Sequence, residues 1–323
     1  MCAKRLETHL MNSVSGRRNL GLSLAFVAMI MWAVLPIALV QLMQGLDPVT
    51  ITFFRFFLAA AILTAYLSFR GRLPSVSKLL FPRRLIQFFC AGTLLAANYA
   101  LFILGLEKTT SEAAEIIIQL APMLFLFAGI WIFQEQFSRP QCYGAVIFII
   151  GLSLYFTHRA GDLFINFSDY GEGMVMIAAG ALFWAGYAII QKFLMTEFTS
   201  WEILLIIYWI GAGVFLIKAE FSSLLRLDMY QWGLLVFCGL NTLIAYGSFS
   251  EALAHMEASR VSAIMALTPV ITSTIVQIFP MEGVSIEPMY LLTIVGATMV
   301  VVGSMIVAVA KKGVGYGRSI KQD

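Results

Sequence analysis

The chain has 323 residues, of which 60% are hydrophobic and 12% charged, and its net charge is +3. A soluble globular protein carries about 25% charged residues, so that class is excluded and an all-α integral membrane protein is expected. The basic residues lie between apolar runs rather than along one face, which argues against a nucleic-acid partner.

Residues 1–19 form a polar N-terminal tail with Lys4, Arg5, Arg17 and Arg18. The apolar run after it is too long for a signal-peptide core and lacks a small-residue cleavage site, so it reads as a retained first helix. Ten apolar spans follow, at 20–43, 49–69, 85–106, 112–133, 141–157, 172–194, 201–217, 231–252, 258–279 and 288–310. Most are near the length that crosses a ~30 Å hydrocarbon core. The fifth and seventh are short, and the second and ninth carry Arg55 and Arg260. Residues 158–171, with Gly161, Asp162, Asn166 and Asp169, form the longest loop between later spans, and 311–323 is a basic C-terminal tail.

The spans repeat. A shift of 147 residues superposes Tyr99 on Tyr246, Phe102 on Phe249, Pro122 on Pro269 and Glu135 on Glu282. A shift of 152 superposes Trp32 on Trp184, Gly144 on Gly296 and Gly151 on Gly303. The chain is therefore two copies of one unit, 20–157 and 172–310, joined by the linker 158–171. Five spans per copy is an odd number, so the second copy enters the membrane from the other side. The fold expected is ten transmembrane helices as two inverted five-helix repeats, an arrangement that supplies two mirror-related states, one open to each side. With both termini inside, sixteen Lys and Arg fall on the inner side and four (Lys108, Arg159, Lys218 and Arg226) on the outer. The positive-inside rule then makes the termini cytoplasmic.

Glu115 lies about one turn into the fourth span, with Gln119 at i+4 and Pro122 at i+7 on the same stripe. A carboxylate facing lipid is costly, so the stripe should face the bundle interior. Glu115 reads either as a substrate or proton site, or as an ion-paired or hydrated carboxylate near the surface. Arg55 lies in the same outer half. It reads as a clamp for a substrate carboxylate, or as a structural partner of Glu112 or Glu115, or as a side chain reaching to the outer surface. Trp32 and Trp184 sit mid-span although membrane tryptophans usually mark the interfaces. They line a cavity or pack the core, and Tyr99, Tyr187 and Tyr246 carry the same two readings. Asn98 and Asn241, also mid-span, should face a cavity or a neighbouring helix. Together these residues are expected to converge on one polar–aromatic pocket near the midplane. Pro122 and Pro269 each free a backbone carbonyl mid-helix, as a hinge or a fixed kink. Gly144, Gly151, Gly296 and Gly303 give smooth faces for scaffold packing or a dimer surface, and Glu135 and Glu282 read as structural helix ends.

These features together resemble the EamA family of the drug/metabolite transporter superfamily. The matching elements are Trp32-Ala33 and Trp184-Ala185, Phe54-Arg55-Phe56, the mid-span prolines, and Glu135 followed by Gln141, Gly144 and Gly151. The resemblance covers residues 20–310. It implies a central cavity lined mainly by spans 1, 3, 4, 6, 8 and 9, with spans 5 and 10 at the periphery. It also implies a secondary transporter, most often an exporter of amino acids, related metabolites or toxic compounds, in the inner membrane. The segment before Pro122 departs from the family, which usually has small apolar residues where this chain has Glu112 and Glu115. In the second copy Ser262 stands at the place of Glu115 and Ile207 at that of Arg55.

The expected partners are a small-molecule substrate and the lipid bilayer, with a homodimer left open, and proton coupling through Glu115 is one of its two readings. No cofactor is called for: no CxxC pair or His spacing suggests a metal, and no phosphate loop suggests direct ATP drive. The alternatives are a non-transporting receptor or assembly component, and a membrane-embedded enzyme, for which no convergent nucleophile, base or metal set is found.

Overall fold

Short polar caps and prolines start the helices. Asp47 accepts a hydrogen bond from the Thr50 N–H at 2.9 Å, with Pro48 opening the helix behind it. Ser168 caps another by accepting from the Gly171 N–H at 3.3 Å, and Gln141 Oε1 turns back to accept from the Ser138 N–H at 2.9 Å. Each device satisfies donors that the first helical turn leaves without a partner. The computed structural model describes residues 17–74, 79, 81–133, 138–160, 168–255, 261, 264–281 and 283–310. Glu135, Arg260, Ser262, Glu282, residues 1–16 and 311–323, and residues 161–167 of the linker lie outside the described residues.

Within them eleven α-helices are found and no strands: α1 Arg18–Leu42, α2 Pro48–Phe69, α3 Pro82–Lys108, α4 Ser111–Ile118, α5 Leu120–Phe133, α6 Arg139–Tyr155, α7 Asp169–Leu194, α8 Ser200–Leu216, α9 Met229–His255, α10 Thr268–Ile278 and α11 Leu291–Val309. Five are long and apolar enough to cross a membrane by themselves: α1, α2, α3, α7 and α9. Large apolar side chains such as Phe26, Ile30, Ile149, Leu182, Val214 and Leu291 point outward and are exposed. A soluble protein would not present so continuous an apolar surface to water; a bilayer covers it.

The helix pairing follows the sequence repeat. α1 packs on α9, α3 on α7, α2 on α8, and α6 on α11. Exchanging the two copies turns α3–α7 into α9–α1 and returns α2–α8 and α6–α11 to themselves. The α6–α11 pair is held by the four glycines. A Cβ on Gly144 would come within 2.9 Å of the Gly303 carbonyl oxygen, and one on Gly296 within 2.4 Å of the Tyr155 backbone nitrogen. These faces are thus filled within one chain, as scaffold.

Polar contacts gather the helix ends into two faces. On the face where α6 ends and α7 begins, called here the linker face, Lys108 closing α3 bonds Glu172 and Asp169 near the start of α7, at 2.6 and 3.3 Å. Hydrogen bonds to these carboxylates push the Lys108 ammonium above its ordinary value. On the same face Glu220 N–H donates to Thr50 at 2.7 Å, and Tyr230 opening α9 bonds Gln41 closing α1. On the opposite face Arg84 pairs with Glu197.

The fourth span differs from the continuous helix expected over 112–133. It is broken at Gln119 into α4 and α5. Pro122 has no N–H to offer the Ile118 carbonyl, and the chain tightens there, with the Gln119 N–H bonding the Ile116 carbonyl at 3.3 Å.

Candidate functional site

A cavity of about 170 Å³ lies where the two copies meet. Five pairs of repeat-related residues line it: Trp32 and Trp184, Tyr99 and Tyr246, Phe102 and Phe249, Ile118 and Met265, Ala121 and Thr268. It therefore sits on the axis relating the copies. The aromatic walls are tied together edge to face. Trp32 meets Tyr246 at 5.4 Å between ring centres and 82°, Trp184 meets Tyr187 at 6.4 Å and 68°, and Tyr99 lies 6.2 Å from Tyr246. An apolar cavity of about 150 Å³ can hold benzene, so this one is of the size for a small solute.

The charged chemistry is not symmetric. Arg55, Glu115, Asn98 and Gln119 all line the cavity and all come from the first copy. Arg55 is buried, with its guanidinium 4.3 Å from the Tyr99 ring centre and its Nε donating to Thr242 Oγ1 at 3.3 Å. Burial with a cation over an aromatic face is stabilising. Arg55 forms no ion pair with Glu115 or Glu112; its held position comes from α3 and α9 instead. Glu115 is 5% exposed and makes no hydrogen bond or ion pair among the described residues. The cavity thus holds a guanidinium and a carboxyl group that do not contact each other.

Asn98 lines the cavity and also bridges to α7, donating to the Gly180 carbonyl at 3.0 Å. The carbonyl freed by Pro269 is that of Met265; it accepts from Thr268 Oγ1 at 2.6 Å and from Gln119 Nε2 at 3.5 Å. Three sequence candidates stand outside the lining. Tyr187 is buried next to Trp184, its hydroxyl without a partner among the described residues, and Asn241 donates to the Met31 carbonyl at 2.6 Å. Pro269, next to the lining residue Thr268, is buried outside it. Thr242, which holds Arg55, carries no motif and was not singled out in sequence; Phe102 and Phe249 were visible only as a repeat pair. Among the described residues no group of three or more His, Cys, Asp and Glu side chains is placed to hold a metal ion.

A second polar centre, not foreseen, lies on the linker face. The Glu287 side chain is fully buried. Its Oε2 accepts from Thr110 Oγ1 and Tyr170 OH, both at 2.8 Å. Its Oε1 accepts from His158 Nε2 at 2.8 Å and Arg159 Nε at 3.2 Å, while its own N–H donates to Glu112 Oε1 at 3.3 Å. Burial alone would raise the Glu287 carboxyl, but these hydrogen bonds and the Arg159 charge outweigh it and hold the group below its ordinary value. Glu287 precedes Gly296 by nine residues, as Glu135 precedes Gly144. That equal spacing was the available signal.

A repeated helical bundle with a central cavity on its pseudo-symmetry axis is the architecture of a membrane transporter. A sequence profile of the EamA-like transporter family matches residues 19–157 and again 171–309. The chain belongs to this family. It is 32% identical, over 91% of its length and 92% of the relative's, to the uncharacterized inner membrane transporter YhbE of Escherichia coli K12. It is 33% identical to an uncharacterized transporter of Haemophilus influenzae, over 91% of this chain and 96% of that one. A solved crystal structure 16% identical in sequence superposes with a TM-score of 0.62, over 90% of this chain and 97% of the other, and so shares the fold.

Proposed function

We propose that the chain is a secondary transporter of the inner membrane that moves an amino acid or a related small zwitterionic metabolite outward by alternating access. The observation that carries this reading is that the Arg55 guanidinium and the Glu115 carboxyl group, not in contact with each other, face one aromatic cavity. A zwitterion satisfies both: its carboxylate takes the guanidinium, and its ammonium takes the Glu115 carboxylate and the ring faces. With no substrate present, a proton on Glu115 would serve the same end as the ammonium, which gives a route for proton coupling. Ten spans in two inverted repeats, with both termini cytoplasmic and the linker face outside, complete the proposal. The exchange symmetry of the helix pairs and the count of basic residues support it.

The test is reconstitution into liposomes with an imposed pH gradient, followed by uptake and efflux of a panel of amino acids, amines and organic acids. A cysteine placed at Ser285 and labelled from outside fixes the orientation in the same vesicles. Zwitterions should move, while simple amines and simple acids should compete weakly. Flux of none of them, with folded protein, would overturn the reading; preference for a lone anion or a lone cation would overturn the zwitterion.

A further inference from the structure

The cavity is separated from the linker face by an apolar plug. Leu39 and Leu42 of α1, Ile103 and Leu106 of α3, and Ala114 and Ile117 of α4 pack there in one buried cluster. Beyond the plug lies a second pocket of about 190 Å³, lined among others by Gln44, Glu107, Thr110, Ser111 and Ser285. A charged solute cannot cross the plug without leaving water and all polar partners, a desolvation that nothing in the plug offsets. One of the helices that form the plug must move to open a path. α4 is built to be that element. It is eight residues long, broken from α5 at Gln119 above the Pro122 gap, and capped at its other end by Thr110. The Thr110 hydroxyl that accepts from the Ala113 N–H also donates to Glu287.

We propose that α4 is a gate arm, hinged at Gln119–Pro122, and that Glu287 is the latch that holds it shut. The latch joins the two copies through the linker: Thr110 and Glu112 come from the first copy, His158, Arg159 and Tyr170 from the linker, and Glu287 from the second copy. Two buried atoms of the cluster, Glu112 Oε2 and His158 Nδ1, have no hydrogen-bond partner among the described residues. Breaking the Glu287 contacts frees the N-terminal end of α4 to swing from α1 and α3, and the central cavity then joins the second pocket. Glu287 is thus a positioning residue for transport, remote from the solute itself. The inference rests on the transporter reading, but its readout does not require transport.

The experiment uses the full chain with its native cysteines replaced and one cysteine at Ala121, which lines the cavity. Labelling by a membrane-impermeant thiol reagent is followed from each face in sealed vesicles. From the linker face, Glu287→Gln should raise the labelling rate by at least about tenfold, a shift in the open population of that size, while labelling from the opposite face falls or stays level. The milder pair Thr110→Val with Tyr170→Phe should move the rate in the same direction, and keeps the test available if Glu287→Gln folds poorly. Unchanged linker-face labelling in either folded variant overturns the latch. Equal increases from both faces also overturn it, since they mark general loosening. If labelling rises as expected while no solute is carried, the gate stands and the substrate reading falls; if solute is carried and labelling is unchanged, the reverse holds.

Discussion

Arg55 and Glu115 face one cavity, yet each is held by different neighbours. Arg55 leans on the Tyr99 ring and Thr242, whereas Glu115 has no bonded partner among the described residues. Removing one member of a buried ion pair costs about 3–5 kcal/mol because a bare charge remains. Here no pair is broken, so Glu115→Gln should leave the thermal midpoint in detergent almost unchanged, with a loss below about 1 kcal/mol. The same variant should abolish transport driven by a pH gradient while substrate exchange persists at weakened substrate affinity. A large loss of stability, rescued by Arg55→Leu with Glu115→Leu, would instead show that the two charges support each other in the folded protein. Much of this site was legible in sequence because depth in a span and the i, i+4, i+7 stripe are local properties. What was not legible is long-range partnership. Thr242 and Glu287 matter through residues 187 and 177 positions away, respectively, and no local pattern announces such contacts.

At the scale of elements, proline and glycine decide the architecture. The two mid-span prolines were visible, and the structure shows what each does. The helix is interrupted at Gln119 ahead of Pro122 and at residues 266–267 ahead of Pro269, where the Met265 carbonyl accepts from Thr268 and Gln119. The glycines of α6 and α11 were readable as a smooth face, and the structure assigns that face to contact within the chain. Gly296→Ala should therefore cost about 1–3 kcal/mol, the usual range for overpacking, since the added carbon meets backbone at 2.4 and 2.7 Å. Gly213→Ala on α8 is the control. Among the described residues nothing lies within 4 Å of its added carbon, and alanine favours helix by about 1 kcal/mol, so its midpoint should hold or rise. Thermal unfolding of the two variants side by side checks the pair; equal midpoints would mean that the α6–α11 seam tolerates slack.

For the whole molecule, the duplication was the strongest signal in the sequence and remains the frame of the structure: five repeat-related pairs line one cavity. The residues that break the symmetry sit on top of that frame. Arg55 faces Ile207, and Glu115 faces Ser262 across the repeat register. A perfectly duplicated carrier would divide its time equally between its two mirror forms. Each unmatched residue is a weight on one side of that balance, and a preference of about 1.4 kcal/mol already makes it ten to one. For a carrier without an energy source, net flow must still vanish at equal concentrations. The ratio of maximal rate to half-saturation is then the same in both directions, but the half-saturation constants are free to differ. This protein should therefore need more substrate on one face of the vesicle than on the other to reach half its speed, and initial rates from the two faces measure by how much. Identical constants would mean that the unmatched charges cancel. Unequal ones would make the carrier a rectifier in its kinetics while it remains reversible in its thermodynamics.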